Sequence, residues 1–238
     1  MKEDLSLFIL VFITTVTTAC IQPHATRTLI SPSAIIVSDI SNDLRYVVES
    51  QRELGYHMPT ILNAPASEEQ MRKAEERFGA DFNREIRSLY GTYNGVFNDY
   101  KTPSGLLGII PIHELLSTES AMIRVRHMDW LEFAANYELQ DHPGPHFWPI
   151  TDDSAGDTYW VDLNVGSSRY GQVYYTTNMG YDPVYIFSSL RSFIHAIRIG
   201  YERKIFVLDA NGYLDCDYSE WREICQEQEP RMTYWQEQ

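Results

Sequence analysis

The chain is poor in cysteine, in basic residues and in long hydrophobic runs. Three cysteines among 238 residues are too few for a disulfide scaffold or for a cysteine-rich zinc site. Nineteen basic residues against thirty-three acidic ones give a formal net charge of −14, which repels a phosphate backbone and argues against non-specific nucleic-acid binding. A multi-span membrane protein needs a series of apolar runs of about 20 residues, and the sequence lacks such a series.

What the chain does contain is enough apolar material for a core. Hydrophobic residues make up 44% of it and aromatic residues 13%, against 22% charged residues, so global disorder is excluded. At about 150 residues per domain, the length indicates one domain with or without an extension.

The N-terminus has the pattern of a targeting signal. Residues 5–16 (LSLFILVFITTV) form an uncharged apolar run of the length of a signal-peptide core. The letters TTAC follow and resemble a bacterial lipoprotein cleavage site, after which Cys20 would carry the lipid. Two features depart from the lipoprotein pattern. Thr17 stands three residues before the cysteine, where leucine is usual, and Glu3 and Asp4 follow Lys2, so the N-terminal region is not clearly basic. We expect residues 1–20 to be a lipoprotein signal; the alternatives are a plain anchor or secretory signal, and a structural or mis-started N-terminus.

Lipidation would decide where the protein resides. With Cys20 acylated, the protein is expected to be a membrane-anchored lipoprotein on the periplasmic or extracellular face, whereas an unprocessed signal would leave it cytoplasmic. Residues 21–40 hold two prolines and little apolar pattern, which is typical of a linker. The domain is then expected over residues 41–238.

Helix caps are the clearest local signals. Ser67 and Gln70 form a capping box, in which each side chain bonds the other's backbone, and Gly79 is a fitting end for that helix. Asn83 begins a second helix, which is expected to end at Asn94-Gly95. Further helices are predicted over 41–54 (capped by Ser41 or Asn42), 120–139, 189–200 and from Ser219, and a helical turn over 113–117. Strands are predicted over 106–112, 147–150, 158–163, 172–176, 184–187 and 205–208.

These motifs follow one another in the order and spacing of a known family. They read APASEEQMRKAEERFG, FNREIRSLYGTYNG, LLGIIPI, WPITDDSAGDTYWVDL, GQVYY and FSSLRSFI. Over residues 62–200 the chain therefore resembles the SUKH superfamily, which comprises fungal cell-wall-assembly regulators of the Smi/Knr type and many bacterial immunity proteins. Phe82-Asn83 departs from the usual Leu-Pro, although Asn83 is itself a good helix cap.

The resemblance implies an α+β fold, a single SUKH-like domain with a mixed β-sheet packed by helices. The resemblance implies binding rather than catalysis, because many bacterial members neutralise a toxin by direct contact and the members of the family share no general catalytic residue. The expected partner is a protein, with a cognate toxin as the leading candidate, and no cofactor is expected.

An acidic run offers the main alternative to pure binding. Asp152, Asp153, Asp157 and Asp162 could supply paired carboxylates for acid–base chemistry or for a hard cation. In the other interpretation they belong to a solvated hairpin loop and the strand after it, where Asp and Gly satisfy turn geometry. The family pattern favours the loop, and exposed carboxylates there would steer a basic partner. We therefore predict partner contacts, not catalysis, at Asp152, Asp153 and Asp157.

Aromatic residues add to the predicted contact surface. Sixteen tyrosines and five tryptophans exceed what a small core needs, and such side chains are favoured in binding hot spots. The alternative is that they lie half-buried on sheet and helix faces. Asn94 and Gly95, which have aromatic neighbours, and Tyr159, which follows the acidic loop, complete the predicted set.

Metal and disulfide chemistry have little support. His142 and His146 lie on a Pro- and Gly-rich stretch rather than on one helix face, so no metal site is expected. Cys216 and Cys225 either close a short disulfide loop or are two unrelated thiols, and the second interpretation is favoured because nothing fixes their geometry.

Three functions remain at this point. The leading hypothesis is a non-catalytic protein-binding module, an immunity protein that neutralises a toxin by contact. The alternative is an envelope- or cell-wall-associated regulatory or structural lipoprotein. The least favoured is a hydrolase that uses residues 152–162.

Overall fold

The computed structural model describes residues 39–99, 101–128, 146–177 and 183–236, so the predicted signal, Cys20 and most of the linker lie outside the described residues. The helices of this part are α1 (Ile40–Glu53), α2 (Glu68–Phe78), α3 (Arg84–Tyr90), α4 (Thr118–His127), α5 (Leu190–Glu202), α6 (Tyr218–Gln228) and α7 (Thr233–Gln236). The strands are β1 (Gly108–Ile110), β2 (His113–Leu115), β3 (Phe147–Asp152), β4 (Thr158–Asp162), β5 (Val173–Thr176), β6 (Val184–Phe187), β7 (Phe206–Leu208) and β8 (Leu214–Cys216).

The predicted helix caps are confirmed. The Ser67 hydroxyl accepts from the Gln70 backbone N–H at 3.2 Å, and the Gln70 side chain accepts from the Ser67 N–H at 2.8 Å. Gly79 ends α2 in the left-handed region, at φ +85°. The Asn83 side chain accepts from the Ile86 N–H at 2.9 Å and so begins α3.

Several helix boundaries differ from the prediction. Asp39, rather than Ser41 or Asn42, caps α1, because its carboxylate accepts from the Ser41 N–H at 3.2 Å. Helix α3 ends at Tyr90, and the chain then passes through a turn before Gly95 adopts φ +68°. Helix α4 begins two residues earlier than expected, and the part of that prediction beyond residue 128 lies outside the described residues.

The sheet is antiparallel rather than mixed. Strands β1 to β6 pair in sequence order, and each described pairing is antiparallel; β7 and β8 form a separate antiparallel pair. Neighbours in sequence are neighbours in the sheet, so no crossover of the kind that parallel strands require occurs among them. The α+β class and the single domain are confirmed, and only the implied mixture of strand directions is corrected.

The helical turn predicted over residues 113–117 is wrong. Ile112 takes φ +62° and reverses the chain directly after β1, so residues 113–115 form β2. Strand β2 pairs with β3, with Glu114 opposite Asp152 and Leu115 opposite Thr151. The predicted strand over 106–112 therefore shortens to β1 and a turn.

The two faces of the sheet carry separate apolar clusters. Trp148 on β3 is fully buried in the main core, where its indole N–H donates to the Tyr90 hydroxyl at 2.8 Å and so joins the sheet to α3. The predicted alternation of β4 is confirmed, because Tyr159, Val161 and Leu163 belong to this core while Trp160 packs on the other face with Phe147 and Tyr174.

The C-terminal tail is built into the main core. Ile224 and Cys225 on α6 are completely buried. The Trp235 indole N–H donates to the Ile186 carbonyl at 2.6 Å, which ties α7 to β6. Cys216 and Cys225 are both buried free thiols, in agreement with the favoured interpretation.

Candidate functional site

The loop between β3 and β4 is organised by one of its own carboxylates. Asp153 Oδ1 accepts from the backbone N–H groups of Ala155, Gly156 and Asp157, each at 2.8 Å. Only 9% of Asp153 is exposed. The expectation that the hairpin carboxylates are solvated is therefore wrong for Asp153, because three backbone donors replace water around it.

Asp152, the last residue of β3, lies beside Arg124 and opposite Glu114 of β2. The Arg124 Nε lies 3.6 Å from its Oδ2, and burial raises the pKa of this carboxyl despite that cation. Glu114, opposite it on β2, is 7% exposed and accepts from the Asn98 amide at 2.7 Å. Burial raises the pKa of Glu114 to about 7, with the Asp152 charge adding to the rise.

Asp162 is also committed to structure. It is completely buried, and its oxygens accept from the backbone and amide N–H of Asn164, both at 2.8 Å, and from the hydroxyls of Ser167 (2.8 Å) and Tyr185 (2.9 Å). Such a saturated carboxylate holds loops in place and has little capacity left for a reacting group. Within the four described ranges, no group of three or more His, Cys, Asp and Glu residues is placed to hold a metal ion.

Asn94 and Gly95 support the start of α4. The Asn94 side-chain oxygen accepts from the Thr118 N–H at 2.9 Å, and only 8% of the residue is exposed. A Cβ on Gly95 would lie 2.2 Å from the Ser117 nitrogen, so only glycine fits there. Their predicted contact with a partner stays a prediction, and in the described structure both residues pack against the chain itself.

Asp157 and Tyr159 lie on the wall of a cavity of about 500 Å³ between the sheet and the C-terminal tail. We call it the aromatic cavity, since its lining includes Tyr159, Tyr175, Tyr218, Trp221, Tyr234 and Trp235. The sheet supplies the first two of these side chains, and helices α6 and α7 supply the others. Pockets of this volume with a largely apolar lining and few polar groups are typical of ligand-binding sites.

The polar groups of the aromatic cavity are few and specific. The Tyr175 hydroxyl donates to Asp157 at 2.8 Å, and burial together with this carboxylate raises the pKa of Tyr175. The His113 ring lies edge-on to Tyr159, 4.8 Å between centroids, and is 7% exposed. Burial lowers the pKa of His113 to about 4, so the imidazole is neutral at neutral pH. Arg222 and Ser219 complete the polar lining.

The tail side of the cavity was missed by reasoning from the sequence. The sequence shows an excess of aromatic residues but does not indicate which of them meet at a site. The tail contributes Tyr218, Trp221, Tyr234 and Trp235. For His113 the sequence predicts a helical turn, and the structure shows strand β2. Of the predicted site residues, the structure brings Asp157 and Tyr159 to the cavity and leaves Asp152, Asp153, Asn94 and Gly95 off its lining.

The fold is an α+β domain with a recessed cavity that is lined by aromatic side chains. A family model described as SMI1/KNR4 family (SUKH-1) matches residues 65–196, which is more than half of the chain. The chain therefore belongs to the SUKH family, which is of the immunity and protein-binding type and is generally non-catalytic. No curated protein matches the chain. None of the helices in the described ranges is both long and apolar enough to span a bilayer.

Proposed function

We propose that this protein is a non-catalytic module that captures a protein partner at the mouth of the aromatic cavity. The observation that carries the proposal is Ile112, which borders the cavity with 45% of its surface exposed. A β-branched residue at φ +62° is strained, and strain of this kind concentrates at functional sites. Tyr218, 67% exposed, lies on the same rim and offers a large rigid contact.

We infer further that the partner is a toxin, which the module neutralises by direct contact. Membership of a family of immunity and protein-binding type supports this, and so does the net charge of −14, which favours a basic partner. The experiment is co-purification of the tagged protein with the product of an adjacent toxin-like gene. Ile112→Asn and Tyr218→Ala should each weaken capture at least tenfold, whereas Val165→Asn, which alters a 92% exposed residue away from the cavity, should not.

The outcomes separate the proposal from its alternatives. Capture that is indifferent to both rim variants places the docking surface elsewhere and overturns the proposed role of the cavity. Failure to bind any product of the gene neighbourhood counts against immunity.

The N-terminal sequence favours a second candidate, a regulatory or structural lipoprotein of the envelope. A lipid on Cys20 would place the domain on the periplasmic or extracellular face, where a nuclease toxin acting in the cytoplasm is out of reach. A toxin that acts on the envelope, or a role in wall integrity, then fits better. Palmitate labelling of the wild type against Cys20→Ala tests the anchor, and equal labelling of the two overturns it.

A further inference from the structure

The aromatic cavity combines ring faces with a carboxylate, and this combination has a known chemical preference. Six tyrosine and tryptophan side chains contribute to its wall, and Asp157 contributes a negative charge that the Tyr175 hydroxyl orients at 2.8 Å. Aromatic rings attract cations through their quadrupoles, and the attraction is largest where water is excluded. A carboxylate beside the rings adds a direct Coulomb attraction of the same sign.

A second observation indicates that a ligand completes the site. His113 Nδ1 is buried and has no hydrogen-bond partner in the described part of the chain. A buried polar atom of this kind costs free energy unless something bonds to it. Because the imidazole lines the cavity, a ligand that carries an N–H or O–H donor can supply that partner when Nδ1 is the unprotonated nitrogen.

Arg222 is the one basic side chain on the described wall of the cavity, and it already has an interaction of its own. Because Arg222 is positively charged, the main alternative hypothesis is that the cavity binds an anionic ligand. The two can be separated by probes of one shape and different charge.

We propose that the aromatic cavity binds an organic cation, an ammonium or guanidinium head on an apolar body, held between the tyrosine and tryptophan rings and Asp157. This inference rests on the cavity being the binding site of the proposed function, and it names the chemistry of what enters. The head group can come from a lysine or arginine side chain of the protein partner or from a free small molecule.

The test is calorimetric titration of the full chain with two sets of isosteric probes. Choline, 3,3-dimethylbutanol and 3,3-dimethylbutyrate share one shape and carry a positive, zero and negative charge. Capped arginine amide and capped citrulline amide form the second set. Selective binding of choline indicates a free ligand, selective binding of capped arginine indicates a protein side chain, and either supports the inference.

Variants tie the binding to the cavity. Asp157→Asn removes the charge but keeps an acceptor for Tyr175, and should weaken the selected cation about tenfold. Tyr218→Ala should weaken it several-fold, and this 67% exposed residue can be truncated with little risk to folding. Glu49→Gln is the matched control, because it removes the same charge from an exposed position on α1 and should change the affinity less than twofold.

The inference is overturned when neither cation binds better than its neutral isostere, or when 3,3-dimethylbutyrate binds best. Its failure is distinguishable from that of the proposed function. A protein that binds the cation but captures no partner loses only the proposed function. A protein that captures its partner through the cavity rim but binds neither cation better than its neutral isostere loses only this inference.

Discussion

Two neighbouring residues on β2 respond to pH in opposite directions. Glu114 is buried against Asp152, and its pKa is raised from 4.5 to about 7. His113 is buried in the aromatic cavity, and its pKa is lowered from 6.5 to about 4. Since successive residues of a strand point to opposite faces, the two groups lie in different environments although they adjoin in sequence.

The signs of their effects on stability follow from linkage. The raised pKa of Glu114 means that its contribution is fully present below pH 4.5 and is lost as the pH rises through about 7. The lowered pKa of His113 means that its contribution is present above pH 6.5 and is lost as the pH falls towards about 4. Between pH 4.5 and 6.5 the two residues therefore change the free energy of unfolding of the wild type in opposite directions as the pH changes.

A substitution at one of the two residues should therefore reveal the pH dependence of stability that the other one contributes. Glu114→Gln, which keeps an acceptor for Asn98, is expected to gain about 1–3 kcal/mol over the wild type at pH 8 and almost nothing at pH 4. His113→Phe is expected to become more stable as the pH falls from 7 to 4.5, because protonation of Glu114 then stabilises the fold without the opposing effect of His113. Urea unfolding across this pH range measures both, and parallel pH profiles for the two variants would contradict the prediction.

Ile112 is expected to lower the stability of the domain while it contributes to partner binding. Asparagine tolerates the left-handed region better than a β-branched residue, so Ile112→Asn is expected to stabilise the domain by about 1 kcal/mol. The control is Val165→Asn, which exchanges an exposed apolar residue whose φ is negative and should stay within about 0.5 kcal/mol of the wild type. Thermal unfolding measures the difference. Destabilisation at position 112 would show that its packing outweighs its strain.

Contacts between elements depend on a few buried charges, of which Glu75 joins α2 to α3. Its carboxylate accepts from the Phe82 N–H at 2.8 Å and from the Arg87 guanidinium at 2.7 and 2.8 Å. Glu75 is 8% exposed, whereas its neighbour Glu76 has 60% of its side chain exposed and pairs with Arg72. Adjacent residues of one type thus make ion pairs in very different surroundings.

This contrast gives a matched pair of variants. Glu75→Gln should cost about 1–2 kcal/mol, because Arg87 loses the buried one of its two carboxylate partners and keeps only the exposed Glu68. Glu76→Gln should cost less than about 0.5 kcal/mol, as expected for an exposed pair. Chemical denaturation of the two variants under one set of conditions decides it; equal costs would show that burial does not govern the pair.

The sequence predicted elements whose signals are local and missed those that depend on distant partners. The Ser67 box, the Asn83 cap and the alternation of β4 are each contained in a few consecutive residues. Strand β2 was missed because its turn has Pro111-Ile112 rather than Asn-Gly, and because its pairing with β3 is visible only in the fold. Asn94 was predicted as a surface residue, yet its partner Thr118 is 24 residues away.

The candidate site was predicted only in part for the same reason. Asp157 and Tyr159 adjoin a recognisable hairpin, and so they were found. The opposite wall comes from residues 206–235, which reach the cavity only through the packing of the tail. Composition gave an excess of aromatic residues, but no spacing rule connects Trp221 or Tyr234 to β4.

The molecule as a whole extends beyond the range that the family model matches. Residues 65–196 leave out α1, the second half of α5 and the whole tail. Yet one apolar core includes Ile40 at one end and Trp235 at the other. Glu229 adds a polar tie, because it accepts from the Ser188 N–H and hydroxyl, both at 2.9 Å, and from the Ser192 hydroxyl.

Trp235 offers a graded test of whether the tail is structural. It is 7% exposed, lies 5.5 Å from the Phe187 ring and donates to the Ile186 carbonyl. Trp235→Phe keeps an aromatic ring but leaves that carbonyl without its donor, at a cost of about 1–3 kcal/mol. Trp235→Ala also removes the ring and should cost about 3–5 kcal/mol. Tyr218→Phe, at an exposed position of the same tail, should cost nothing measurable.

The two interpretations of the tail differ in the form of the unfolding transition as well as in its midpoint. If the tail is part of the one core, Trp235→Ala lowers the midpoint of a single cooperative transition, and fluorescence and circular dichroism report the same midpoint. If the tail were only appended, fluorescence would show an early transition while circular dichroism kept the wild-type midpoint. Because the aromatic cavity takes its second wall from the tail, the first result would also mean that the cavity forms only when the whole domain folds.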